Sequence, residues 1–297
     1  MLNTQKTMNT PSKINLFLKV TERCENSYHN IKTLFMPLSK PADEIDINFA
    51  ASAGISIICD KPEVPCDERN ICHKAASKYA ESCGVTPNWK ITILKNIPVA
   101  AGMGGGSSDA AAVLKILNDK YQKLDKNKLK SIALECGADV PFFLDPRPAL
   151  ASGLGDIFEY PNNKYPEIPL LLINPGFPIS AAWAYNNLSP NSIGEIPAGY
   201  EQKFLDALQR NDLKKLSELI HNDLATASYK KFPVLEILKE ELLESGALSA
   251  EITGSGPTLF ALFESTEERD ESANIFKQNY PQMTIIKSSF KSRKLDL

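Results

Sequence analysis

The chain has 297 residues, 43% hydrophobic and 23% charged, with 33 Lys and Arg against 36 Asp and Glu for a net charge of −3. That length allows two domains around large apolar cores, and the recurring apolar blocks exclude a mainly disordered chain. The lack of a basic excess argues against a nucleic-acid partner, and no apolar run approaches the ~20 residues of a membrane span.

Residues 1–10 read as a loose, polar tail with no apolar segment of the secretory kind. Ile14, Leu16, Leu18 and Val20 alternate with Asn15, Phe17 and Lys19, which predicts a strand. Residues 43–49 and 55–59 predict two more, the second through its β-branched run. From Asn70 the period becomes helical, with Asn70 as cap and Gly84 as stop. A strand is expected at 89–94 and helices at 107–117 and 125–136. Residues 160–169 read as a linker and 170–174 as a buried strand. Helices follow at 180–187, 201–209, 212–221 and 234–245, the last stopped by Gly246. Strands at 250–253 and 258–263 flank a Gly254-Ser-Gly-Pro257 turn, then a helix at 267–278 and a strand at 283–290 close the chain. Interspersed strands and helices place it in the α/β or α+β class.

Cys24, Cys59, Cys66, Cys72, Cys83 and Cys136 form no C-x-x-C pair, and with only His29, His73 and His221 no zinc spacing can be assembled. A reduced, cytoplasmic protein is expected.

The most informative stretch is Ile97-Pro-Val-Ala-Ala-Gly-Met-Gly-Gly-Gly-Ser-Ser-Asp109, between a strand and an Ala-rich helix. Gly102, Gly104, Gly105 and Gly106 let a backbone approach a ligand closely, and Ser107 and Ser108 fall at the helix start. Unpaired first-turn N–H groups and the helix dipole make such a loop a phosphate cradle. It has no Gly-Lys-Ser/Thr, so it is not a P-loop, and Ser107 stands where a dinucleotide fingerprint needs its third glycine.

Pro98 through Ala112 resembles the nucleotide loop of the GHMP kinases, with Met103 where Leu is usual. Pro11-Ser-Lys-Ile-Asn-Leu16 and Ile252-Thr-Gly-Ser-Gly-Pro-Thr-Leu-Phe260 resemble that superfamily's first and last motifs. The resemblance implies a two-domain α+β fold: a tail at 1–10, an N-terminal mixed α/β ATP-binding domain at 11–163 and a C-terminal ferredoxin-like domain at 164–297. Tyr28-His29, Gly137-Ala-Asp-Val-Pro-Phe-Phe143 and Ala151-Ser-Gly-Leu-Gly-Asp156 are similar to the branch that phosphorylates a cytidine-diphosphate-linked methylerythritol on the non-mevalonate route to isoprenoid precursors. Departures are Cys24-Glu-Asn-Ser27 before Tyr28, Ser12 for Ala, and Ala181 for Thr.

The resemblance implies Asp139 as general base and Lys13 as its cationic partner. Asn15 is implied as a hydrogen-bonding neighbour of the substrate. Tyr28 and Tyr185 would sandwich the cytosine while His29 reads its edge, and Gly254 and Ser255 would meet the diphosphate. ATP would lie on Pro98, Gly102, Met103, Gly104, Gly105, Gly106, Ser107 and Ser108, with Asn70, Ile71 and Lys95 beside it. Mg²⁺ should accompany ATP, with Ser108 the only candidate protein ligand and none assigned. The implied partner is a small molecule, with no nucleic acid or membrane, in a monomer or homodimer. Two alternatives remain: another GHMP kinase of the homoserine kinase kind, or a non-catalytic nucleotide-binding protein on this fold.

Overall fold

The computed structural model describes residues 5–25, 28–49, 53–161 and 165–290. In chain order its elements are β1 (Gln5–Arg23), β2 (His29–Asn48), β3 (Gly54–Cys59), α1 (Ile71–Cys83), β4 (Asn88–Leu94), α2 (Gly105–Tyr121), α3 (Lys126–Cys136), α4 (Val140–Leu144), β5 (Ala149–Ser152), β6 (Ile157–Glu159) and β7 (Ile168–Asn174). The second half continues with α5 (Ala181–Asn186), α6 (Tyr200–Arg210), α7 (Leu213–Leu219), β8 (His221–Asn222), α8 (Ala225–Lys231), α9 (Val234–Glu244), β9 (Ser249–Ile252), β10 (Leu259–Leu262), α10 (Thr266–Asn279) and β11 (Thr284–Phe290).

Two sheets form an α+β fold. The first runs β3-β4-β2-β1-β8, with β5 paired to β2 and β6 to β5. The second runs β11-β7-β10-β9, and all its neighbours are antiparallel. Strands one to four of this βαββαβ unit thus lie in the order four-one-three-two, as in a ferredoxin-like layer.

Residues 5–10 are not a tail. They belong to β1 and pair with β2 from Gln5–Asn48 to Thr10–Asp43, while residues 1–4 lie outside the described residues. Gln5, Thr7 and Asn9 are exposed and Lys6 and Met8 half-buried, so a half-solvated strand carries a polar composition. The expected boundary between residues 163 and 164 also lies outside the described residues. β8, from the second half, pairs in parallel with β1 through Phe17–His221 and Leu18–Asn222.

Among the described residues, three large apolar layers hold these parts, beside a smaller cluster of Leu18, Val20, Ile31, Ala184 and Leu224. Trp89, Ile91 and Ile93 of the first sheet pack on Ala75 and Tyr79 of α1, Val113 and Leu117 of α2, and Phe142 of α4. Ile14, Leu16 and Phe17 on β1 meet Leu170, Leu172, Phe260 and Phe290 of the second sheet and Phe204 of α6. The far face of that sheet is covered by Leu235, Leu238 and Leu242 of α9 and Phe276 of α10. The middle layer joins both halves through apolar contact. All six cysteines are free, and among the described residues no helix is long and apolar enough to cross a membrane.

Candidate active site

The glycine-rich segment leads directly into α2, which begins at Gly105, two residues before the Ser107 start expected from sequence. Its cap is Gly104, with φ 71° and no side-chain capping bond, and its first turn holds no acidic residue. A 17-residue helix therefore points first-turn N–H groups outward with no capping side chain competing for them. Ser108 adds a buried hydroxyl that has no hydrogen-bond partner among the described residues.

The glycines serve different contacts. A Cβ on Gly102 (φ 76°) would lie 2.1 Å from the Thr253 carbonyl oxygen, and one on Gly104 would lie 2.8 Å from the Phe143 ring. On Gly105 it would turn inward, 3.1 Å from Ile97 and 3.2 Å from Lys95 Nζ. Only Gly106 faces outward, where a Cβ would meet Ile71 alone, at 3.6 Å. Met103 is buried in the layer between the halves, and its carbonyl accepts the Lys13 N–H at 3.0 Å, tying the loop to β1. Pro98 is half-buried at the head of the loop.

Asn70 accepts the Cys72 N–H at 2.8 Å and donates to the Pro65 carbonyl at 2.6 Å, which fixes the start of α1. The neighbouring Ile71 reaches the outward side of Gly106 and of Gly137, so it stands beside the glycine-rich loop. Lys95 departs from expectation. Its ammonium bonds the Asp43 carboxylate and, at 2.8 Å, Asp109 Oδ2, with side-chain exposure of only 5%. It is the centre of a buried acid–base–acid triad beneath α2 and presents no free charge to a nucleotide.

Lys13 and Asp139 do meet. Nζ stands 3.8 Å from Asp139 Oδ2, donates to Asn15 Oδ1 at 2.6 Å and lies 4.7 Å from the centre of the Phe35 ring. Burial pushes the Lys13 ammonium below its ordinary 10.5, and the Asp139 charge pulls the other way. Asp139 occupies the cap position of α4 without making a side-chain cap bond, so its carboxylate is left to the cleft. Asn15 lines the cleft too: Oδ1 takes Lys13, and Nδ2 donates one hydrogen to Thr33 Oγ1 at 2.8 Å. It orients the lysine while facing the cleft in which the sequence places a substrate hydroxyl.

The cleft has a volume of about 690 Å³ and is lined by Lys13, Asn15, Asp139, Gly102, Gly104 and Ser107. Tyr28, His29, Tyr185, Gly254 and Ser255 complete its other side. His29 stacks on Tyr185 with ring centres 5.3 Å apart and 21° between planes, so one face of Tyr185 is taken. The expected sandwich of a base between Tyr28 and Tyr185 therefore meets a Tyr185 ring already stacked on His29, beside a Tyr28 that is 62% exposed. Burial and the nearby Arg23 hold His29 below its ordinary 6.5, leaving a neutral imidazole with one donor and one acceptor nitrogen. Burial and the Asp139 charge raise the Tyr185 phenol above its usual range, keeping it neutral. The carbonyls of Gly254 and Ser255 accept from Asn222 Nδ2 at 2.8 Å and Ser228 Oγ at 3.3 Å, which fixes the turn against β8 and α8.

Phe35, Thr33 and Thr253 also shape the site. Thr253 sits inside the Gly-rich motif at 252–260, whereas Thr33 and Phe35 carry no motif and gain their roles only through strand pairing.

An uncapped helix start, a glycine loop and a lysine–carboxylate pair in one cleft define a small-molecule kinase of the GHMP class. The GHMP kinases N terminal domain matches residues 70–145 and the GHMP kinases C terminal domain matches 204–282. The 4-diphosphocytidyl-2-C-methyl-D-erythritol kinase of Chlorobium phaeobacteroides (strain BS1) is 36% identical over 91% of this chain and 93% of that relative. The kinase of the same name from Geobacter sulfurreducens is 35% identical over 91% and 94%. A crystal structure of 4-(cytidine 5'-diphospho)-2C-methyl-D-erythritol kinase superimposes with a TM-score of 0.81 at 30% identity, covering 97% of this chain and all of that one. The homoserine kinase of Cytophaga hutchinsonii shares the fold, with a TM-score of 0.75 at 19% identity. The chain belongs to the 4-diphosphocytidyl-2-C-methyl-D-erythritol kinase family and is an ATP-dependent small-molecule kinase.

Proposed function

We propose that the chain transfers the γ-phosphoryl group of ATP to the 2-hydroxyl of 4-diphosphocytidyl-2-C-methyl-D-erythritol. The observation that carries this reading is the Lys13–Asp139 pair, set in one cleft between a glycine loop and a Tyr28–His29–Tyr185 aromatic wall. Phosphoryl transfer asks mainly for positioning and charge stabilisation. The α2 N-terminus and Gly106 receive the phosphates, Asn70 and Ile71 border the nucleotide, and Asp139 takes the proton of the attacking hydroxyl. Lys13 steadies negative charge as it shifts between nucleophile and leaving group. Mg²⁺ would supply charge neutralisation on the phosphates, and Ser108, whose buried hydroxyl has no hydrogen-bond partner among the described residues, would be its protein neighbour. The neutral His29 can both donate to and accept from a cytosine edge, and the Gly254–Ser255 turn faces the diphosphate.

Turnover by the purified chain of ATP with the cytidine-linked alcohol, free methylerythritol, homoserine and mevalonate tests the reading. Use of the first alone is expected, and equal use of base-free alcohols would leave only a GHMP kinase of another specificity. Two variants separate the two binding regions. Tyr28→Ala and Tyr185→Ala each remove a ring worth about 1–3 kcal/mol to a stacked base, so the alcohol KM should rise about 5- to 150-fold. The KM for ATP should stay within about twofold. An unchanged alcohol KM in both variants would place the base elsewhere.

Gly106→Val adds bulk on the outward side of α2, where its Cβ would meet only Ile71. The ATP KM should rise about tenfold or more, equivalent to at least about 1.4 kcal/mol, with the melting temperature preserved. Gly105 cannot serve for this test, because its side chain would press into Ile97 and Lys95. Normal ATP binding by Gly106→Val would remove the phosphates from this helix.

A further inference from the structure

Thr253 lies at a junction that neither the base nor the phosphate cradle accounts for. It is fully buried at the end of β9. Its Oγ1 accepts the Asn15 backbone N–H at 3.0 Å. Its single hydroxyl proton faces two acceptors, Asn15 Oδ1 and the Gly102 carbonyl, each at 3.4 Å. Asn15 Oδ1 also receives Lys13 Nζ, and Lys13 faces Asp139. One hydroxyl therefore touches the strand that carries the lysine and the loop that receives ATP, from within the turn on the alcohol side.

The backbones interlock at the same point. The Thr253 carbonyl fills the space where a Gly102 side chain would begin, and a Cβ on Gly254 would lie 3.0 Å from the Gly102 carbonyl oxygen. The two glycine-rich segments, 151 residues apart by the Gly102–Thr253 spacing, pack backbone against backbone, with the Thr253 hydroxyl turned to the Gly102 carbonyl at their contact. A shift of the ATP loop must then be felt by the alcohol-side turn, and the Thr253 hydroxyl holds Asn15, hence Lys13, in step with both.

We propose that Thr253 is a positioning residue: its hydroxyl couples the ATP loop to the alcohol-side turn and to Lys13, so that the two substrates bind interdependently. This rests on the functional reading above. The Gly102–Thr253 contact transmits the binding of either substrate, so that the second meets a site already aligned. Coupling of this kind is reciprocal: the alcohol strengthens ATP binding by the factor by which ATP strengthens alcohol binding.

Thr253→Ser and Thr253→Ala make the test, because both lose the methyl group and only the second loses the hydroxyl. For wild type and both variants, kcat, both KM values and the melting temperature are measured. The Kd of a non-hydrolysable ATP analogue is measured with and without saturating cytidine-linked alcohol. In wild type and Thr253→Ser the alcohol should tighten analogue binding about fivefold or more, the lower end of usual coupling. In Thr253→Ala that tightening should vanish and kcat should fall about tenfold, while the analogue alone binds within about threefold of wild type. Three results overturn the proposal: no tightening in wild type, equal tightening in Thr253→Ala, or Thr253→Ser as impaired as Thr253→Ala. Wild-type enzyme that turns over no cytidine-linked alcohol would overturn the functional reading and this proposal with it. Normal wild-type turnover beside an unimpaired Thr253→Ala overturns this proposal alone.

Discussion

Asp139→Asn is expected to lower kcat by about 10²–10⁴-fold, the usual share of general acid–base catalysis. The substitution keeps the side-chain shape, and Asp139 makes no capping bond to α4 that an amide would disturb. Melting temperature and both KM values should therefore stay near wild type, and the loss should fall on kcat. A second readout comes from Lys13. Burial already pushes its pKa down, and Asp139 pulls it the other way through its charge and hydrogen bond. With Asn at 139 that pull disappears, so the ammonium is lost at lower pH than in wild type. The residual activity should fade on the alkaline side earlier than wild-type activity does. Turnover within about threefold of wild type across the pH range would remove Asp139 from the role of base.

The parts of this site that were legible in the sequence are local ones. A glycine cluster between a strand and an Ala-rich helix announces an anion cradle, because the unpaired N–H groups belong to one short segment. Period-two alternation found the second half of β1 and the paired end of β2, where one face is buried. It missed residues 29–42 of β2, since 34–38 are buried on both faces and show no alternation. α2 starts two residues before the expected Ser107 because Gly105 and Gly106, poor helix formers, read as loop although the chain is helical through them. α4 has only five residues, β5 four and β6 three, too few for a period to be counted. Side-chain commitments were the least legible. That Asn15 serves Lys13 depends on Thr33 and Thr253, which are 18 and 238 residues away along the chain. No spacing rule reaches that far, and the same limit explains Lys95.

Lys95→Met should destabilise the fold by about 3–5 kcal/mol, the cost of removing one partner from a buried ion pair. Asp43 and Asp109 are 0% and 3% exposed, and both turn a carboxylate oxygen to the ammonium. Asp43 keeps two backbone donors, Asn96 N–H at 2.6 Å and Ile97 N–H at 2.7 Å, and Asp109 keeps Thr10 Oγ1 at 2.8 Å. Those bonds do not cancel the repulsion of two buried carboxylates once the cation between them is gone. The sign with pH follows. Burial, together with the charge of Asp43, raises the Asp109 pKa above its ordinary 3.8, and Lys95 is the main influence lowering it. In Lys95→Met it rises further. A carboxyl whose folded pKa exceeds its unfolded value binds more protons when folded, so its contribution to stability falls as pH rises through that window. The deficit relative to wild type should therefore be largest near pH 8 and shrink toward pH 5. Lys95→Met/Asp109→Asn should recover part of the loss at pH 8, because one of the opposed charges is removed. Urea unfolding of the three proteins at both pH values measures this directly. A Lys95→Met chain as stable as wild type at pH 8, with only its ATP KM raised, would return Lys95 to the nucleotide pocket and refute the buried triad as a support of α2.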